Sequence, residues 1–60
     1  MEDDVSYFRR RASEERAAAL HSLHRDVRLA HLEMAARYED LIEALSKHEE
    51  VLGLTVLNDQ

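Results

Sequence analysis

Residues 27–52 read VRLAHLEMAARYEDLIEALSKHEEVL, and this segment decides the fold of the chain. Apolar, aromatic and histidine residues recur along it at alternating spacings of four and three. These residues, which we call the predicted seam, are Val27, His31, Met34, Tyr38, Leu41, Leu45, His48 and Leu52. A repeat of about 3.5 residues is typical of a helix that packs along its length against other helices. We therefore expect one long helix that packs through the seam.

The composition of the whole chain favours an all-α domain that is too small to be stable alone. The chain has 60 residues, with one glycine, no proline and no cysteine. Residues that interrupt helices are almost missing, and neither disulfide bonds nor cysteine-ligated zinc can stabilise the fold. Because a chain this short buries only about 60% of its unfolded surface, we expect a second copy or another protein to complete the core.

A first helix is predicted to precede the seam and to fold back against it. Asp3 or Asp4 can cap this helix, and Asp26 can cap the second. The inward face of the first helix is expected to contain Val5, Phe8, Ala12, Ala19, Leu20 and Leu23. The predicted bounds within the single domain 1–60 are helix 1 at 4–22, a turn at 23–26, helix 2 at 27–52 and a tail at 53–60.

The charge pattern favours an antiparallel two-helix hairpin over one continuous helix. A fold-back near residue 24 places the arginine run, residues 9–11, opposite the acidic side chains of Glu39, Asp40 and Glu43. Exposed ion pairs are worth only about 0–1 kcal/mol each, but their placement indicates the register.

Helix 2 has more apolar surface than helix 1 can cover. It extends beyond helix 1 by roughly 10 Å, and part of its apolar surface lies on the side away from the seam. Gly53 is expected to end the helix, and further apolar residues follow it. We therefore predict that two hairpins form a homodimeric four-helix bundle. The predicted interface consists of Leu29, Leu32, Ala36, Leu52, Leu54, Val56 and Leu57.

Charge also limits the classes of partner. The formal net charge is −5, and all of it lies in residues 31–60, since residues 1–30 carry six basic and six acidic side chains. This balance makes nucleic acid and anionic membranes unlikely partners. The acidic N-terminus does not resemble a signal peptide, and no segment reaches the length of a membrane span. A cytoplasmic protein is predicted.

The four histidines are the candidate residues for metal binding or catalysis. His21 and His24 are close enough along the chain to share a metal ion, and His31 lies in the seam; these three are weak metal candidates. The Glu-x-x-His motif of di-iron bundles is absent, as are phosphate-binding loops, HExxH and a supported Ser/His/Asp set. We therefore predict no enzyme activity, no cofactor and no metal.

Two stretches carry a resemblance to known proteins: SYFRRRASEER at residues 6–16 and VRLAHLEMAARYE at residues 27–39. They resemble small helical proteins of unassigned function from alphaproteobacteria, particularly sphingomonads. The resemblance implies a bacterial cytoplasmic setting and implies no activity or site.

The sequence thus predicts a non-catalytic protein–protein interaction or regulatory module that acts as a homodimer and that could also bind another protein. Two alternatives remain open. One is a metal- or pH-responsive bundle that uses the histidines. The other is weak nucleic-acid binding through the arginine run.

Overall fold

The computed structural model describes residues 2–52, with side chains described for residues 2–48. Two helices make up this part of the chain, α1 (Asp4–Leu20) and α2 (Arg25–Leu52). They pack against each other as a hairpin, and residues 2–52 contain no strand. The predicted all-α helical hairpin is confirmed. The turn occupies residues 21–24, two residues before the predicted position, and the predicted tail at 53–60 lies outside the described residues.

The ends of α1 are fixed by local hydrogen bonds. Asp3 has an extended backbone, and its Oδ1 accepts a hydrogen bond from the Ser6 backbone N–H at 2.8 Å. This bond lowers the pKa of the Asp3 carboxyl and confirms Asp3 as a cap. At the other end, the His21 N–H donates to the Ala17 carbonyl at 3.3 Å. The helix ends there, without a glycine.

Helix α2 begins directly after the turn. The Arg28 backbone N–H donates to the His24 carbonyl at 2.9 Å, which closes the first helical turn. Asp26, expected before the helix, lies within this first turn, where its negative charge suits the positive end of the helix dipole. The Arg28 guanidinium also donates to the Ser22 carbonyl at 3.4 Å. These bonds hold α2 to the turn.

Alanines form the apolar core between the two helices. The buried apolar residues of the described part are Ala12 and Ala19 of α1 and Ala35 of α2, and Ala35 is 0% exposed. Among the described side chains, no large one is fully buried. Methyl groups let two helices lie close together, but they bury little apolar area. The hairpin therefore has a small core.

The buried face of α2 differs from the predicted seam. His31, Tyr38 and Leu45 are half-buried as expected, but Val27, Met34, Leu41 and His48 are exposed, so their assignment to the core was wrong. The residue after each of Val27, Met34 and Leu41 faces α1 instead. These residues are Arg28, Ala35 and Ile42. The reason is size, since the small Ala35 fits against the alanines of α1 and the bulkier Met34 does not.

The inward face of α1 also differs at its C-terminal end. Leu20 and Leu23, expected in the core, are 84% and 97% exposed. Leu20 follows the buried Ala19 by one residue and is therefore turned about 100° away from it, while Leu23 lies in the turn. Glu15 is buried on this face instead, in line with Ala12 and Ala19.

Candidate functional site

A row of three large apolar side chains is exposed along α2. Its members, Val27, Met34 and Leu41, are 41–47% exposed, and we call them the apolar row. Each precedes a residue that faces α1, so the row is turned about 100° from the contact between the helices. A spacing of seven residues keeps the row in line along a helix that supercoils with its neighbours. The hairpin thus leaves this apolar side of α2 without cover.

The opposite flank of α2 carries the predicted interface residues Leu29, Leu32 and Ala36, all of them exposed. The row on this flank with the same spacing is Leu29, Ala36 and Glu43, which ends in a carboxylate. Beside it, the Arg16 guanidinium of α1 donates to Glu39 at 2.6 and 2.9 Å. This flank therefore combines exposed leucines with carboxylates, whereas all three members of the apolar row are apolar.

Four predicted interface residues fall outside the described side chains: Leu52, Leu54, Val56 and Leu57. The role of the whole predicted set as an interface stays a prediction.

A polar cluster joins the two helices beside the apolar row. Glu15 is only 7% exposed. Its Oε1 lies 2.6 Å from His31 Nδ1, and its Oε2 accepts from Arg11 Nη2 at 2.7 Å. Because an ionised carboxylate can only accept hydrogen bonds, the proton of this contact belongs to Nδ1 of His31. The Arg11 guanidinium also lies 5.3 Å from the centre of the Tyr38 ring, a cation–π contact.

The cluster stabilises the ionised form of Glu15. The hydrogen bond from His31, followed by that from Arg11, lowers the pKa of the Glu15 carboxyl. The hydrogen bonds to Glu14 and Glu15 raise the pKa of Arg11. Our sequence reasoning did not find this cluster. The available signal was the spacing of Glu15, which lies three residues after Ala12 and four before Ala19, on the alanine face of the helix.

We expect the Glu15 carboxylate to make the hairpin acid-sensitive. Its pKa in the folded state lies below the ordinary value of 4.5, so its contribution to stability is present above that value and is lost as the pH falls through the folded-state pKa. Replacing Glu15 by glutamine should therefore flatten the loss of stability between about pH 5 and 3. Urea unfolding followed by circular dichroism across this range measures the effect.

A Glu43→Gln variant is the matched control, because the Glu43 carboxylate is exposed on the flank of α2 opposite the apolar row. It should keep the wild-type pH profile. Equal profiles for Glu15→Gln and the wild type would show that the Glu15 contacts do not stabilise the fold.

The remaining histidines lie outside this cluster. His21 and His24 are exposed residues of the turn, and His48 is exposed on α2. Within the described residues, no three or more histidine and acidic side chains are placed so that they could hold a metal ion. The structure therefore brings no third ligand to the pair His21 and His24 in this part of the chain.

Two arginines of the run pair with carboxylates of α1 and of the segment before it. Arg10 bonds to Glu2 and Glu14 at 3.1 and 3.0 Å, and Arg11 bonds to Glu14 and Glu15. The acids of helix 2 that we expected opposite the run are not the ion-pair partners of Arg10 and Arg11, although Arg11 does reach Tyr38 in that part of α2. The pairs with Glu14 and Glu15 have the spacing of three or four residues that brings side chains together on one helix, whereas Glu2 precedes the helix and is eight residues from Arg10. Arg16, outside the run, makes the ion pair to α2.

A crevice of about 470 Å³ lies at the open end of the hairpin. It is lined by Asp3, Asp4, Val5, Arg9, Leu45, Ser46 and His48. Neither Glu15 nor His31 belongs to this lining, so the crevice and the polar cluster are separate features. Over residues 2–52, neither helix combines the length and the apolar character that crossing a membrane requires.

Comparisons with protein-family models, with curated proteins and with solved structures each found no match. The resemblance to small sphingomonad proteins therefore stays a prediction. The geometry of the hairpin is what supports a functional proposal.

Proposed function

We propose that this protein is a non-catalytic module for protein–protein interaction that acts as a homodimer, in which two hairpins form a four-helix bundle. A bacterial cytoplasmic location, which the resemblance implies, belongs to the same proposal. One observation carries it: large apolar side chains of α2, Val27, Met34 and Leu41, are nearly half exposed, while the apolar residues buried in the described part of the hairpin are alanines.

Burial energies support association. Full burial of a valine, leucine or methionine side chain is worth about 1.5–3 kcal/mol, and the hairpin realises only part of this for the apolar row. A chain of this size also has little stability to spare. A second copy that covers the row adds stabilisation that the three buried alanines cannot provide.

The shape of α2 supports a bundle in particular. Its contact with α1 and its apolar row lie about 100° apart around the helix axis. In a four-helix bundle each helix contacts two neighbours at about a right angle. The two apolar sides of α2 fit that position.

Sedimentation equilibrium at micromolar concentrations tests the homodimer. We expect a mass of two chains and a thermal unfolding midpoint that rises with protein concentration, since association stabilises the folded state by mass action. A fully helical monomer with a concentration-independent midpoint would contradict the proposal.

A second candidate function is a response to pH, favoured by the contact of 2.6 Å between His31 Nδ1 and the buried Glu15 carboxylate. Sedimentation of the wild type and of the Glu15→Gln variant between pH 5 and 8 tests it. A pH-dependent dimer that loses this dependence in the variant supports the candidate, and a dimer of constant affinity over this range excludes it.

A further inference from the structure

Given the proposed homodimer, on which this inference rests, we infer that the two copies meet through the apolar row. The α2 helices of the two copies run antiparallel, and Met34 of each lies on the two-fold axis. The inference thus specifies the side of α2, the direction of the partner helix and the register.

The order of residues in the apolar row supports this register. An isologous contact needs a surface that is complementary to itself. Val27 and Leu41 each lie seven residues from Met34. Antiparallel pairing about Met34 therefore brings Val27 against Leu41 of the second copy, twice, and Met34 against Met34. Apolar side chains of similar size meet at all three levels.

The opposite flank does not have this property. Its row is Leu29, Ala36 and Glu43, in which Leu29 and Glu43 each lie seven residues from Ala36. Antiparallel pairing about Ala36 would bring Leu29 against the carboxylate of Glu43 of the second copy. Removing that carboxylate from water without a partner is costly. The two flanks have the same spacing, so the chemistry of their third residue distinguishes them.

The half-buried residues His31, Tyr38 and Leu45 support the same side. On the helix surface they lie between the contact with α1 and the apolar row. A second copy on the apolar row also covers their exposed portions, including the one third of the His31 side chain that the hairpin leaves exposed. A partner on the opposite flank would leave them as they are.

The charges beside the row favour the antiparallel direction. Glu33 precedes Met34 by one residue, and Arg37 follows it by three. Antiparallel helices that cross at Met34 bring Glu33 of each copy towards Arg37 of the other. In a parallel pair in register, the flank with Glu33 in one copy would meet the flank with His31 and Tyr38 in the other, and the contact between Glu33 and Arg37 of the second copy would be lost.

Disulfide cross-linking tests the inference cleanly, because the chain contains no cysteine. We expect a Met34→Cys variant to form a covalent dimer on mild oxidation, since the two thiols meet at the two-fold axis. Ala36→Cys is the matched control on the opposite flank and should stay uncross-linked. Non-reducing electrophoresis gives the result, and sedimentation of the reduced variants shows that both retain the wild-type assembly.

A second pair of variants tests direction and register. In the inferred dimer, position 27 of one copy is about 21 Å from position 27 of the other, and the same holds for position 41. Val27→Cys and Leu41→Cys should therefore not cross-link alone, but should form a heterodimer when the two proteins are mixed before oxidation. A parallel dimer would cross-link each variant with itself.

The outcomes separate the inference from the proposed function. The inference is supported if Met34→Cys forms a covalent dimer, if the mixture of Val27→Cys and Leu41→Cys does so too, and if Ala36→Cys does not. If the wild type is a dimer but Ala36→Cys cross-links instead, or no variant does, the inference is overturned and the homodimer stands. If the wild type sediments as a monomer, both fail. If the reduced Met34→Cys variant is misfolded, cross-linking in the mixture of Val27→Cys and Leu41→Cys decides the question.

Discussion

Replacing Ala35 by leucine is expected to destabilise the hairpin by about 1–3 kcal/mol. Ala35 is 0% exposed and faces α1, whose own buried apolar residues are Ala12 and Ala19. A leucine at this position has no space between the helices, so it must push them apart or adopt a strained rotamer. Urea unfolding followed by circular dichroism measures the change in the free energy of unfolding.

The next residue provides the control for this prediction. Ala36 is exposed, so Ala36→Leu makes the same chemical change about 100° further around the helix and should alter stability by less than about 0.5 kcal/mol. Equal effects at the two positions would mean that Ala35 is not at the contact between the helices.

Replacing Met34 by glutamate is expected to weaken dimerisation on the order of a hundredfold or more. In the inferred dimer the substitution places two carboxylates together on the two-fold axis, where each loses water and gains a like charge as its neighbour. Because Met34 is 41% exposed in the hairpin, the single chain can keep the new side chain in water. Sedimentation equilibrium gives the dissociation constant, and circular dichroism reports the helix content.

Ala36→Glu is the matched control, since it adds the same charge to the same helix on the opposite flank. Its dissociation constant should stay close to that of the wild type. Were Ala36→Glu to dissociate the dimer while Met34→Glu did not, the interface would lie on the flank of Leu29 and Leu32.

The fold was predictable because local signals agree. The chain has no proline, its one glycine lies at position 53, Asp3 caps α1, and the apolar residues have helical spacing. Each of these signals acts within a few residues, so it can be assessed without knowing what the helix contacts. The charge pattern favoured the hairpin over one continuous helix, although the arginines of the run find their ion-pair partners elsewhere.

The side of α2 that meets α1 was not predictable in the same way. His31, Tyr38 and Leu45 fit equally well with the row of Met34 and with the row of Ala35, since both rows have a spacing of seven. Hydrophobicity favours the Met34 row, but the available space between the helices favours Ala35, and that space depends on the alanines of α1. Glu15 was missed for the same reason, because the partners that make its burial possible, Arg11 and His31, lie on two different helices.

The charged flank of α2, with Glu43 and the ion pair between Arg16 and Glu39, has a consequence for how far assembly can proceed. In the inferred dimer, the isologous contact covers the apolar row of both chains. The opposite flank presents charge to any third chain. The inferred dimer is therefore a closed assembly, and we expect a concentrated solution of this protein to contain discrete particles of one size and no filaments.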